Sequence, residues 1–245
     1  MIADIYTIMW KEWKEIVLQR GNMRSGLIGL AILIAVFGII LPLQMGRPWL
    51  EQPQVLIYWL WVPLLLVSTV TADSFAGERE RHTLETLLAS RLPDRAILFG
   101  KVAAAIFYGW GVSVASVLLG VVTVNIANRG GGFVFYPAWM ALAILLFSLL
   151  GSGLAANAGT LISLRAATVR QAQQIMSMAI LALVLLPILG LQALPQAWQQ
   201  SLFALFSESN VIAIVLEGAT ILLLLDAILL AVSMARFQRP RLILD

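Results

Sequence analysis

The sequence predicts an all-α integral membrane protein: six transmembrane helices behind an amino-terminal amphipathic interfacial helix, with both termini cytoplasmic. Hydrophobic residues make up 60% of the 245 positions and charged residues only 12%, whereas soluble domains sit near half apolar and a quarter charged. The apolar residues gather into six runs long enough, or nearly so, to cross a bilayer. The basic residues then fall almost entirely on one of the two sides that those runs define.

A spanning helix takes roughly 20 mostly apolar residues to cross about 30 Å of hydrocarbon. The first run, from about Ser25 to Leu43, is short, with Arg24 able to snorkel to the interface. The second, from about Val55 to Ala72, opens on Tyr58, Trp59 and Trp61. The third lies between about Ala96 and Ala127, and no charge occurs from Val102 through Asn128. The fourth runs from about Pro137 to Thr160, and the fifth from about Gln174 to Leu194 with Pro187 inside it. The sixth, from about Val211 to Ala235, carries two carboxylates, Glu217 and Asp226.

Lysine and arginine placement orients these spans, because cytoplasmic loops hold the excess. Six spans put the amino terminus, the loops after spans two and four and the carboxyl tail on one side. That side holds fourteen basic residues, among them Lys11, Lys14, Arg79, Arg81, Lys101, Arg165 and Arg236, against Arg47 and Arg129 opposite. The net charge of +3 is thus a topology signal and not a nucleic-acid footprint. The multi-pass chain belongs in the cell (plasma or inner) membrane.

Residues 1–24 form a separate element. Ile2, Ile5, Tyr6, Met9, Trp13, Ile16 and Val17 recur at three- and four-residue steps, the mark of one apolar helix face. Such a helix lies in the membrane interface with its tryptophans at headgroup depth, or packs on the cytoplasmic ends of the spans, or does both. With Asp4, Glu12 and Glu15 and no small-residue cleavage pattern, this stretch is not expected to be a cleaved signal. On the outer side, 44–54 and 128–136 are short, and Gly130-Gly131-Gly132 reads as a turn. Residues 195–210, with Trp198, Leu202, Phe203, Leu205 and Phe206, suit a short helix at the outer interface or one that dips back in. The whole chain, 1–245, reads as one transmembrane domain.

Several chemistries are excluded. The chain has no cysteine, and His82 is its only histidine, so disulfides and a histidine-based metal site or triad are ruled out. No metal site is expected. An intramembrane enzyme has neither a zinc constellation nor facing carboxylates to work with. Glu217 and Asp226 are nine residues apart, on opposite helix faces and about 13 Å apart along the axis. They should not pair. Glu217 is placed to reach the outer interface; Asp226, deeper, is expected to touch another helix or the substrate path. Gly109, Gly111 and Gly120 in span three and Gly151, Gly153 and Gly159 in span four allow close helix packing.

The loop at 73–101 is the most charged segment. It carries Asp73, Glu78, Arg79, Glu80, Arg81, Glu85, Arg91, Asp94, Arg95 and Lys101, more than a plain connector needs. Glu78 with His82 and Arg81 with Glu85 stand four residues apart, which supports a helix. Leu84, Leu87 and Leu88 share one face. Pro93 stops the helix and Asp94 can cap the next. A solvated connector and a docking helix for a cytoplasmic partner both fit this pattern.

The string Gly77-Glu78-Arg79-Glu80-Arg81-His82-Thr83-Leu84-Glu85-Thr86-Leu87-Leu88, with Gly100-Lys101 after it, resembles the first cytoplasmic loop of ABC type-2 exporter permeases. Those loops read Gly-Glu-Arg-Glu, two residues, Thr-Leu-Glu, one residue, Leu-Leu, and later Gly-Lys at the start of span three. The match covers about twenty-five residues; the family often has glycine where this chain has His82. The resemblance implies a half-transporter that dimerises on two copies of a separate ATP-binding-cassette ATPase. Glu78, Arg79, Glu80, Arg81, His82, Thr83, Leu84 and Glu85 would then belong to the coupling helix. A P-loop needs Gly, four residues, then Gly-Lys-Ser/Thr; here Arg95 stands in the first glycine's place and Val102 follows Lys101. ATP and magnesium are therefore expected in the partner, with no cofactor bound directly. The function expected is outward export of a hydrophobic or amphipathic substrate. The alternative is a non-transporting assembly or sensor subunit that uses the same ATPase contact.

Overall fold

The computed structural model describes residues 1–18, 23–128, 132–199 and 210–237, and among them every regular element is helical. In chain order they are α1 (Ile2–Leu18), α2 (Met23–Ala35), a π-helical turn (Val36–Ile40), α3 (Leu41–Met45) and α4 (Pro48–Glu51). After these come a 3-10 turn (Pro53–Val55), α5 (Leu56–Glu80), α6 (Leu84–Ala89), α7 (Asp94–Ala127), α8 (Ala138–Arg165), α9 (Val169–Ala193) and α10 (Val211–Arg236). Six helices are long and apolar enough to cross a membrane: α2 continued through α3, then α5, α7, α8, α9 and α10.

The first of these shows how a proline shapes a short span. In an α-helix the amide of residue 42 would bond the carbonyl of residue 38, but Pro42 has no N–H. The ladder widens into a π turn, with the Leu41 amide bonding Val36 O. The freed Gly38 carbonyl accepts a hydrogen bond from Thr123 Oγ1 on α7 at 2.7 Å. A backbone group that lipid could not satisfy is thereby satisfied by the neighbouring helix.

The spans form a centre and a periphery. α5 and α8 make the most extensive contact, and α7 packs on both. Small residues allow this approach. A Cβ on Gly159 would meet Thr71 Cβ at 2.6 Å, one on Gly151 would meet the Leu60 carbonyl at 2.8 Å, and one on Gly109 would meet Val67 Cγ2 at 2.3 Å. Gly111 differs from the expectation: nothing lies within 4 Å of it, so it separates no helices. α9 and α10 sit outside, with Leu186, Leu189, Leu216 and Leu223 among their exposed apolar residues. Such faces need lipid or a second protein subunit to cover them.

Several helices outrun their apolar stretches. α5 continues past Ala72 to Glu80, and α8 past Thr160 to Arg165, because the hydrogen-bond ladder is indifferent to hydropathy and continues into the charged zone. Asp94 does not cap α7. Pro93 is the N-cap and Asp94 lies in the first turn, where a carboxylate still complements the helix dipole. Of the segment 195–210, residues 200–209 lie outside the described residues, so Leu202, Phe203, Leu205 and Phe206 do too. The Gly130 turn, the Arg24 side chain and the tail from residue 238 are likewise outside.

α1 packs on the end of the bundle. Ile8 is buried, Ile5 and Ile16 join the same core, and α7 is their main neighbour. Tyr6, Trp10 and Trp13 face away and are exposed.

Candidate functional site

The base of the 73–101 loop is an ion-pair network buried where α1, α5 and α7 meet. Lys101, in the second turn of α7, is 4% exposed. Its ammonium donates to Glu12 Oε1 at 2.7 Å, to Glu78 Oε1 at 3.0 Å and to the Ser74 carbonyl at 3.0 Å, and lies over the Phe75 ring. Lys11 adds a second cation, 3.2 Å from Glu78 and 3.3 Å from Glu15. Partial burial works against the Lys11 charge, but Glu78, Glu12 and Glu15 outweigh it and hold its pKa above the usual lysine value.

A second lock joins α5 to α8. The Arg79 guanidinium donates to the carbonyls of Leu164, at 3.0 Å, and Ala166. It thus caps the carboxyl end of α8, where a cation meets the negative pole of the helix dipole. Ser163 Oγ accepts from the amides of Phe75 and Ala76 at 3.0 and 2.9 Å and donates to the Ala72 carbonyl at 3.0 Å. The cytoplasmic end of α5 is therefore tied to α1, α7 and α8 at once.

The loop is not one helix over 78–88. α5 ends at Glu80, and His82 takes φ 56°, the left-handed conformation. The Thr83 amide then bonds back to the Glu78 carbonyl at 2.9 Å, and α6 starts at Leu84. The break divides the expected coupling residues into two groups. Glu78 (3% exposed), Leu84 (6%) and the half-buried Arg79 are turned inward, while Glu80, Arg81, His82, Thr83 and Glu85 are exposed. Arg81 reaches back to Asp73, 3.2 Å away.

A family model described as ABC-2 type transporter matches residues 3–223. The chain belongs to the ABC-2 type transporter family. A search of curated proteins found no match. Members of this family are membrane transport components that work with an ATP-binding-cassette ATPase, and this chain is accordingly a multi-pass permease component, not itself a catalyst.

In this ABC-2 permease the loop motif acquires physical content. At Gly77 a Cβ would lie 2.0 Å from Asp73 Oδ1, so a larger residue would displace the carboxylate that pairs with Arg81. Gly100 is required because α1 crosses over it: a Cβ would lie 2.7 Å from Ile8 Cβ and 3.1 Å from the Ile5 carbonyl. Glu78, Arg79 and Lys101 are the anchors just described. Much of the motif thus builds the base, and its exposed members form the rim.

Glu12 escaped the sequence reading as a partner, although one signal was there. It follows Ile5 and Ile8 at helical spacing, on the face that turns to the bundle, where an unpaired carboxylate would be costly.

The intramembrane carboxylates separate as their spacing predicts. Glu217 is on an exposed side of α10, whereas Asp226 turns toward α8. A Cβ on Gly153 would meet Asp226 Oδ2 at 2.6 Å, and Asn157, one turn on, is its polar neighbour.

His82 supplies a direct prediction. A non-glycine residue in the left-handed region costs about 1 kcal/mol or more, and a β-branched one costs most. Substituting His82→Gly should slow amide hydrogen exchange at residues 79–86, and His82→Val should speed it, each by a factor of about 3–10. Equal exchange in all three proteins would mean that the turn does not hold His82 in that conformation.

Proposed function

We propose that this chain is the membrane-spanning half of an ATP-driven exporter. Two copies seat on two copies of a separate ATP-binding-cassette ATPase and move a hydrophobic or amphipathic substrate outward. Both termini and the 73–101 loop face the cytoplasm of a cell membrane, as the fourteen-to-two division of basic residues supports. ATP and magnesium are bound by the partner. The observation that carries the proposal is the division of the loop. An exposed rim of Glu80, Arg81, His82, Thr83 and Glu85 stands on a base whose Glu78 and Arg79 are fastened to α1, α7 and α8. A solvated connector has no need for such a base. A surface that receives force does, because displacement at the rim reaches three helices only if the root of the loop cannot slip. Domains 1–24 and 73–101 are then an interfacial strut and a coupling joint within one permease unit.

The test uses the permease co-expressed with its ATPase. The double substitution Glu80→Lys, Glu85→Lys reverses two rim charges without touching the base. Substrate-stimulated ATPase activity should fall at least tenfold, since like charges brought together at an interface built for opposite ones cost several kcal/mol, while membrane insertion and thermal stability stay unchanged. Stimulation at the native level in this variant would refute the coupling role.

A further inference from the structure

The contact between α8 and α10 holds a carboxyl group that the coupling reading does not use. Asp226 lies near the middle of α10, pressed so closely on α8 that a Cβ on Gly153 would meet its Oδ2 at 2.6 Å. Its polar neighbour there is Asn157 of α8, which is buried. Asp226 Oδ1 and Asn157 Oδ1 are both buried, and neither has a hydrogen-bond partner among the described residues. Two acceptors without a donor, on packed helices within the spans, are costly.

The missing donor can be found by elimination. No lysine, arginine or histidine occurs at 25–46, 56–72, 102–128, 138–164 or 171–235. Those stretches hold the apolar parts of all six spans, so a second copy of the chain brings no cation to this depth either. Arg165 and Arg236 end α8 and α10 and are exposed, about 12 Å and 15 Å along their axes from Asn157 and Asp226. Lys101, at the base of α7, is taken by Glu12 and Glu78. The other carboxylate of α10, Glu217, is on an exposed side. A metal ion would need about six oxygen ligands, and no group of three acidic or histidine side chains that could hold one occurs among the described residues. An ionised carboxylate only accepts hydrogen bonds, so it cannot supply what Asn157 Oδ1 lacks. A protonated one can.

We propose that Asp226 binds a proton at Oδ1 and donates it to Asn157 Oδ1, so that an acid–amide pair holds α10 against α8. One proton serves both oxygens and removes a charge that has no partner in the spans. α10 is otherwise largely exposed and apolar, which makes this its polar fastening to the bundle. Separation of α10 from α8 would let water reach the carboxyl, so helix movement and proton release become one event. The site needs neither ATP nor a partner and stands apart from the exporter reading.

Infrared spectra of the full-length permease in lipid nanodiscs at neutral pH test the proposal. Subtracting Asp226→Asn from the native protein should leave a carboxylic-acid carbonyl stretch above the amide I envelope. Carboxylate bands in its place overturn the proposal. In Asn157→Leu the acid carbonyl should move to higher wavenumber, because the hydrogen bond that lowers it is gone; an unmoved band overturns the pairing with Asn157. Thermal unfolding tests the fastening. Asp226→Asn keeps a donor for Asn157 Oδ1 and should unfold at the native temperature, whereas Asp226→Leu keeps the volume, loses the donor and should unfold lower. Equal loss in the two variants would mean that no donor holds α10, and overturns the fastening.

Discussion

Replacing Lys101 with methionine should destabilise the permease by about 3–5 kcal/mol, the cost of removing one partner from a buried ion pair. Methionine keeps the length and much of the volume of the side chain, so packing against Phe75 survives and the charge alone is lost. Glu78 and Glu12, at 3% and 9% exposure, would then face each other with only the half-exposed Lys11 nearby. Thermal unfolding in detergent should show the loss. The double variant Lys101→Met, Glu78→Gln should recover a large part of it, because it removes the uncompensated charge along with the cation. Recovery is the decisive part. A double variant as unstable as Lys101→Met would mean that the lysine acts through packing and not through its carboxylates. In either variant ATPase stimulation should be weakened, since the loop has lost one of its fastenings.

The second large effect is expected at Gly100. Valine there would put its Cβ 2.7 Å from Ile8 Cβ and 3.1 Å from the Ile5 carbonyl oxygen, atoms that no rotation of the Ile8 side chain can move away. Overpacking of this kind costs about 1–3 kcal/mol. The helix must lift, and with it Glu12, whose bond to Lys101 is now 2.7 Å. The chain has no cysteine, so spin labels attach cleanly at cysteines introduced at the exposed positions Thr7 and Arg95. The distance between them should lengthen and broaden in Gly100→Val. An unchanged distance would show that α1 does not depend on this contact.

Both predictions concern residues that were visible in the sequence but whose role was not. The spans were legible because lipid imposes a rule on every residue facing it, and that rule is written in runs of Leu, Ile and Val such as 181–191 and 221–230. Their ends were less legible. Hydropathy stops at Ala72, while the α5 ladder continues to Glu80 on hydrogen bonds that do not depend on side-chain polarity. Gly38 and Thr123 could not have been matched by any local rule, because 85 positions separate them and only the π turn before Pro42 frees the carbonyl they share. The loop motif was recognised as a string, and the i,i+4 charge pairs suggested one helix across it. The left-handed His82 divides that string in two, a backbone choice made by the tight return of the Thr83 amide to Glu78.

The sequence by itself determined that this is a six-span, all-helical permease of the ABC-2 family with a charged loop between spans two and three. Lipid solvation, the distribution of basic residues and the loop motif are properties of composition and local order, and they need no coordinates. Only the tertiary structure decided which charges of that loop face inward. Whether Glu78 docks a partner or anchors a helix depends on what stands within hydrogen-bond reach of its carboxylate, and Lys101 (3.0 Å) and Lys11 (3.2 Å) arrive there from positions 23 and 67 residues away. Ion pairing is a matter of distance in space, and burial makes it strong. The same folding that sets those distances buries the Glu78 Oε2 without a hydrogen-bond donor among the described residues.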